Sequence, residues 1–174
     1  MTRVQGRLAV VLLVEDDAGD QELTRRALTE GLLRVDLRIV SNGEEALDYL
    51  HHRGRHSDPA RSPAPDLVLL DLNMPGLDGR DVLRVVKTDA ALKSLPIVVL
   101  TTSRLEADIL RSYDLGCNSF ITKPVGVEGF VRAVQDLGAY WFELTTLPAG
   151  GGLTRTGAAP DAEGDARVAH VERR

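Results

Sequence analysis

Cysteine is almost missing from this chain of 174 residues. The single Cys117 excludes an internal disulfide and a zinc site built on cysteines, and it suits a reducing compartment. Positive charge is not in excess either: 21 Lys and Arg face 26 Asp and Glu, a formal net charge of −5. Bulk binding to nucleic acid or to an anionic membrane wants a basic face, so neither is expected. Long apolar runs are absent too. Leu8 to Val14 is too short to span a bilayer and no small-residue cleavage site follows it, so cytoplasmic residence is the expectation. Aromatics are few, with three Phe, three Tyr and one Trp, which makes Tyr140-Trp141-Phe142 a conspicuous place to spend three of them.

What remains is ordinary for a globular protein able to bury a core: 43% hydrophobic and 27% charged residues in a length that suits one domain. Leu8–Val14, Leu67–Leu70 and Ile97–Leu100 are continuous and rich in Val and Leu, as strands buried on both faces are. Val35–Val40 alternates apolar and polar residues, and Phe120–Ile121 is a weaker fifth strand. Helical spacing fills the gaps, at Leu23, Ala27 and Leu28; at Ala46, Leu47 and Leu50; and at Val82, Leu83, Val85 and Val86. Leu105, Ile109 and Leu110 mark a fourth helix, and Val127 through Trp141 a long fifth one. Pro96 suits a strand start, and Gly116 suits the left-handed cap that closes the fourth helix. Five strands alternating with five helices predict an α/β fold, a doubly wound parallel sheet with right-handed crossovers.

Two segments fall outside the pattern. Residues 51–65 hold three prolines and no periodicity, so they read as a long exposed loop. His51, His52 and His56 in that loop have no carboxylate interleaved at a ligand spacing, which favours a solvated loop over a metal site. The domain is expected to occupy residues 1–147. In the tail, 148–174, 13 of the 27 residues are Gly, Ala or Pro, too little apolar surface to offset the entropy of ordering, so disorder is expected.

Ligands of such sheets bind beyond the carboxyl ends of the strands, so the residues that end each run are the informative ones. They are Glu15-Asp16-Asp17, Asp71 followed by Asn73-Met74-Pro75 and Asp78-Gly79, then Thr101-Thr102-Ser103, and finally Lys123-Pro124. Carboxylates from different strands repel unless a cation joins them, and hard oxygen ligands with open positions suit Mg²⁺. Lys123 adds a fixed positive charge and Thr101 a hydroxyl. The combination makes sense as phosphoryl transfer onto a carboxylate.

This set resembles the receiver domain of two-component response regulators, a flavodoxin-like fold, over roughly residues 8–147. The resemblance implies that Asp71 is the phosphoacceptor and attacks the phosphohistidine of a sensor histidine kinase. It implies a Mg²⁺ site with Asp16 as the main side-chain ligand, Glu15 acting through water, Asp71 itself and the backbone carbonyl of Asn73. It also implies a switch in which Thr101 bonds the aspartyl phosphate and Phe120 moves inward, altering the surface of the fourth helix, fifth strand and fifth helix. Asn73 and Ser103 match positions that tune hydrolysis of the acyl phosphate. The loop at 51–65, the stretch Leu100-Thr101-Thr102-Ser103 and the end at 140–148 look like single-domain regulators paired with bacterial phytochrome-type kinases, a group that tends to form homodimers. On that reading the chain is a stand-alone switch that acts through protein contacts.

Plainer roles fit the neighbouring residues. Asp17 suits the start of the first helix and Asp78 the N-cap of the third. Cys117 reads as a small buried residue. Consecutive helical residues point about 100° apart, so Tyr140, Trp141 and Phe142 cannot all face the core, and at least one suits an interface. Competing functions are less well served. A DNA-binding regulator lacks room for a recognition helix after residue 147. A Mg²⁺-dependent aspartyl-phosphate phosphohydrolase usually carries a second acid two residues after its nucleophile, where Asn73 stands. A flavodoxin-like nucleotide binder needs a Gly- or Ser/Thr-rich loop where this chain has three acids. A relay that passes phosphate to a histidine phosphotransfer protein shares every residue with the leading reading.

Overall fold

The all-apolar character of the central runs dictates a sheet covered on both sides, and the computed structural model has that form. It describes residues 3, 4, 7–29, 34–102 and 104–144. The strands Arg7–Val14 (β2), Val35–Val40 (β3), Leu67–Leu70 (β4), Ile97–Thr101 (β5) and Ser119–Thr122 (β6) are all parallel. Their spatial order is β3-β2-β4-β5-β6. The sequence reading missed a two-residue strand, Arg3–Val4 (β1), which pairs antiparallel with the start of β2. It is too short to carry a periodic signal.

Helices Ala18–Thr29 (α1), Gly43–Leu50 (α2), Gly79–Thr88 (α3), Glu106–Asp114 (α4) and Val127–Ala139 (α5) alternate with these strands. Alternate residues of each strand feed opposite cores. Ala9, Val11 and Leu13 of β2 pack with Ala27, Leu28, Phe130, Val134 and Leu137 from α1 and α5. Leu12 and Val14 pack with Ala46, Leu50, Val82, Leu83 and Val86 from α2 and α3. At the amino end of the sheet a buried carboxylate pins β4 to β2. Asp66 accepts two bonds from the Arg7 guanidinium, at 2.7 and 2.9 Å, and one from the Val10 amide at 2.8 Å.

Local chemistry sets the helix ends. Asn42 caps α2 by accepting from the Glu45 amide at 2.7 Å, and Asp78 caps α3 by accepting from the amides of Arg80 and Asp81. Asp17 accepts from the Asp20 amide at 2.8 Å at the head of α1. Gly116, at φ 95°, ends α4: its amide bonds the Tyr113 carbonyl and the next amide reaches back to Ser112, the paired bonds of a Schellman turn. α5 continues as one wider turn through Tyr140–Leu144.

Two expectations need correction. The apolar residues that mark α4 do not face the core. Leu105 and Leu110 are exposed, while Ser112 is buried with its hydroxyl bonded to the Asp108 carbonyl. Asp108 meets Arg80 of α3 at 2.7 Å, so a self-satisfied polar stripe takes the inner side of the helix. The segment 51–65 is likewise not a plain solvated loop. His51 bridges the Leu47 carbonyl and Asp89, each at 2.9 Å, and His56 lies between Ser62 and Glu45. The Tyr49 hydroxyl donates to the Pro63 carbonyl at 2.8 Å. Asp89, Glu45 and Pro63 lie 38, 11 and 14 positions from the groups they bond, so no local pattern announces these contacts. The tail 148–174, the domain limit at 147 and Ser103 lie outside the described residues.

Candidate functional site

Backbone ladder bonds run one residue past the strands and fix the groups that follow. The Glu15 amide donates to the Val40 carbonyl at 3.1 Å, the Asp71 amide to Val14 at 3.0 Å and the Lys123 amide to Thr101 at 2.7 Å. Neighbouring parallel strands therefore deliver Glu15, Asp71, Thr101 and Lys123 to one rim, all of them buried. This is the juxtaposition that the strand-end reading expects.

At its centre the Lys123 ammonium lies 2.6 Å from a Glu15 oxygen and 3.1 Å from an Asp71 oxygen. A third carboxylate, Asp20, approaches to 2.7 Å. Burial disfavours the Lys123 charge, but the bonds it donates to Asp20 and Glu15 and the charge of Asp71 outweigh it, and its pKa moves up. Burial also pushes Glu15 up, to about 7, against the pull of Lys123 and of the Asp17 amide. One ammonium thus faces more negative charge than it can neutralise.

The other Asp71 oxygen accepts from the Asn73 amide at 3.1 Å, and the Asn73 side chain donates to the Thr101 hydroxyl at 3.2 Å. Thr101 is fully buried, and that bond holds its hydroxyl at the rim beside Asn73. Asp16 is exposed, yet Glu15, Asp16 and Asp71 each offer a carboxylate oxygen within 4.8 Å of the others. That donor set of hard oxygens, partly open to solvent, fits a divalent cation of the Mg²⁺ or Mn²⁺ type.

Phe120 sits on β6 opposite Val99 and Thr122 opposite Thr101, so Phe120 and Thr101 share a face of the sheet. The ring is half-buried against the α2–α3 core. Tyr140, Trp141 and Phe142 follow the far end of α5: Tyr140 is 52% exposed, whereas Trp141 and Phe142 pack on the α1–α5 core. The sequence reading did not pick out Asp20. Its position one helical turn beyond Asp16 and Asp17 was the available signal. Beside the site a cleft of about 230 Å³ is lined by Asp20, Leu23, Thr102, Lys123, Val127 and Phe130, among others.

Comparison with known proteins agrees with this geometry. Residues 11–135 match the model of the response regulator receiver domain. Response regulator Rcp1 of Synechocystis sp. is 40% identical over 140 residues, 80% of this chain and 93% of its own. The solved Mn²⁺-bound form of Rcp1 superposes with a TM-score of 0.76 at 40% identity, over 81% of this chain and 99% of that one. The phosphorylated cyanobacterial phytochrome response regulator RcpA gives 0.77 at 39% identity, over 82% and 99%. Fold, rim chemistry and relatives converge, and the chain belongs to the response regulator receiver domain family.

Proposed function

We propose that this receiver accepts a phosphoryl group on Asp71 from the phosphohistidine of a sensor histidine kinase of the phytochrome type. An Asp71 carboxylate oxygen attacks phosphorus, the P–N bond to the kinase histidine breaks, and the departing imidazole nitrogen keeps the electron pair and takes a proton. Lys123 and Thr101 meet the oxygens of the transferred group, where charge is greatest. A Mg²⁺ ion held by Glu15, Asp16, Asp71 and the Asn73 carbonyl would neutralise charge on the carboxylates and the phosphoryl oxygens. The protein catalyses only its own phosphorylation and its later hydrolysis, and its role is signalling.

The observation that carries this reading is the single rim on which Glu15, Asp16 and Asp71 converge, with the Lys123 ammonium bonded to Glu15 and Asp71. Kinship with a phytochrome response regulator supports the choice of kinase. The output surface is the α4–β6–α5 face, with Thr101 and Phe120 as the moving pair. Leu105, Leu110 and Tyr113 stand exposed on or beside α4 and Tyr140 at the end of α5, apolar surface suited to a homodimer contact.

Incubation with acetyl phosphate and Mg²⁺ tests the acceptor. Wild-type protein should gain one hydroxylamine-sensitive phosphoryl group and Asp71→Asn none; label retained in that variant would move the acceptor elsewhere. A phosphotransfer profile across sensor kinases, with light scattering before and after phosphorylation, tests partner and dimer. A monomer under both conditions would remove the dimer.

A further inference from the structure

Lys123 has three ammonium protons to give, and three carboxylates stand within reach of them: Glu15 at 2.6 Å, Asp20 at 2.7 Å and Asp71 at 3.1 Å. Glu15 and Asp71 belong to the acidic pocket that also converges with Asp16. Asp20 does not. It comes from the first turn of α1 and reaches the ammonium from the solvent side. On the reading that Asp71 is the acceptor, we propose that Asp20 is a positioning residue that holds Lys123 as a counter-ion in the resting receiver and competes with the incoming phosphoryl group for its ammonium.

The geometry makes the competition unavoidable. With its donors taken, Lys123 can bond a phosphoryl oxygen on Asp71 only if one carboxylate lets go. Side-chain exposure ranks the candidates: Glu15 is 3% exposed, Asp71 9% and Asp20 30%. A carboxylate already in contact with water is rehydrated most readily, whereas a buried one released from its partner stays desolvated. The backbone at Asp20 is fixed, because its amide donates to Asp17 at 2.8 Å, so the departure needs only a side-chain rotation. The cleft beside Lys123 and Leu23 gives the carboxylate room to turn.

Charge then predicts opposite effects on cation and anion. Removing the Asp20 charge lowers the negative potential of the pocket and weakens Mg²⁺ binding. The same change frees Lys123 and favours an anionic phosphoryl group. A variant that merely loosens the fold weakens both.

The experiment compares wild type, Asp20→Asn, Asp20→Ala and Asp20→Glu. Mg²⁺ affinity is read by calorimetry, and beryllofluoride affinity and the rate with acetyl phosphate are read at saturating Mg²⁺. For Asn and Ala, Mg²⁺ affinity should fall by about three- to tenfold while beryllofluoride affinity and phosphorylation rate rise by a similar factor. Asp20→Glu should return both towards wild type. A fall in all quantities, or no change in any, overturns the proposal. In the wild-type protein itself, the Asp20 carboxyl ¹³C signal should move on beryllofluoride binding, and an unmoved signal also overturns it. If wild type accepts neither beryllofluoride nor phosphate, the Asp71 reading fails and this inference with it. That result differs plainly from a competent wild type with indifferent variants.

Discussion

Gly79 passes so close beneath the end of β4 that a Cβ there would lie 2.1 Å from the main-chain oxygen of Asp71 and 2.7 Å from the Cα of Leu72. The obstructing atoms are backbone, which cannot rotate away. The turn after Asp71 and the start of α3 are therefore held together by the absence of a side chain.

Gly79→Ala should accordingly cost about 3 kcal/mol of stability, the upper end of ordinary overpacking. It should also slow phosphorylation, since Asp71 must shift to admit the methyl group. Urea denaturation and acetyl phosphate kinetics check the two effects. A variant as stable as wild type would show that the turn is softer than its contacts imply.

Lys123→Met removes the positive centre while keeping the bulk. Glu15 and Asp71 are then buried without their cationic partner, and the metal-free variant should lose about 3 kcal/mol at mildly alkaline pH. Mg²⁺ should narrow the gap, because it restores positive charge to the same oxygens. Thermal melts with and without Mg²⁺ measure this, and a deficit that ignores the cation would contradict it. Phosphorylation should be abolished or nearly so.

Tyr49 supplies a pH signature away from the rim. Burial pushes its phenol up to about 12, while the unfolded chain ionises near 10. Between these values the unfolded state has released a proton that the folded state still holds, so stability falls as pH rises through that window. At neutral pH, Tyr49→Phe should be less stable by about 1 kcal/mol for the lost bond to the Pro63 carbonyl. Above pH 10 that difference should shrink, because the variant has no phenol to ionise. Chemical denaturation from neutral pH to about pH 12 follows it, and a constant difference would refute the burial argument.

The parts of the fold that were legible in the sequence are those whose signal is local. Continuous Val and Leu runs announce strands covered on both faces; Asp78 accepts from amides, and the Gly116 amide donates to a carbonyl, within one helical turn. The rim residues were legible because a parallel sheet sends every strand end to the same side. The rest depends on partners far apart in the chain. His51 finds Asp89, and Arg80 on α3 finds Asp108, which turns α4 away from its own apolar marks. Asp20 was hidden among the acids at the head of α1, because its role is set by the reach of Lys123 across the sheet.

The bond between Glu15 and Lys123 spans 108 positions, and Asp71 lies between them. A ribosome therefore delivers Asp71 well before the ammonium that binds it. Until β6 docks at the margin of the sheet, a nascent chain carries Asp71 without its charge partner. The rim is thus complete only once Lys123 has been made, and a chain broken off before Lys123 lacks that ammonium even if its first strands have assembled.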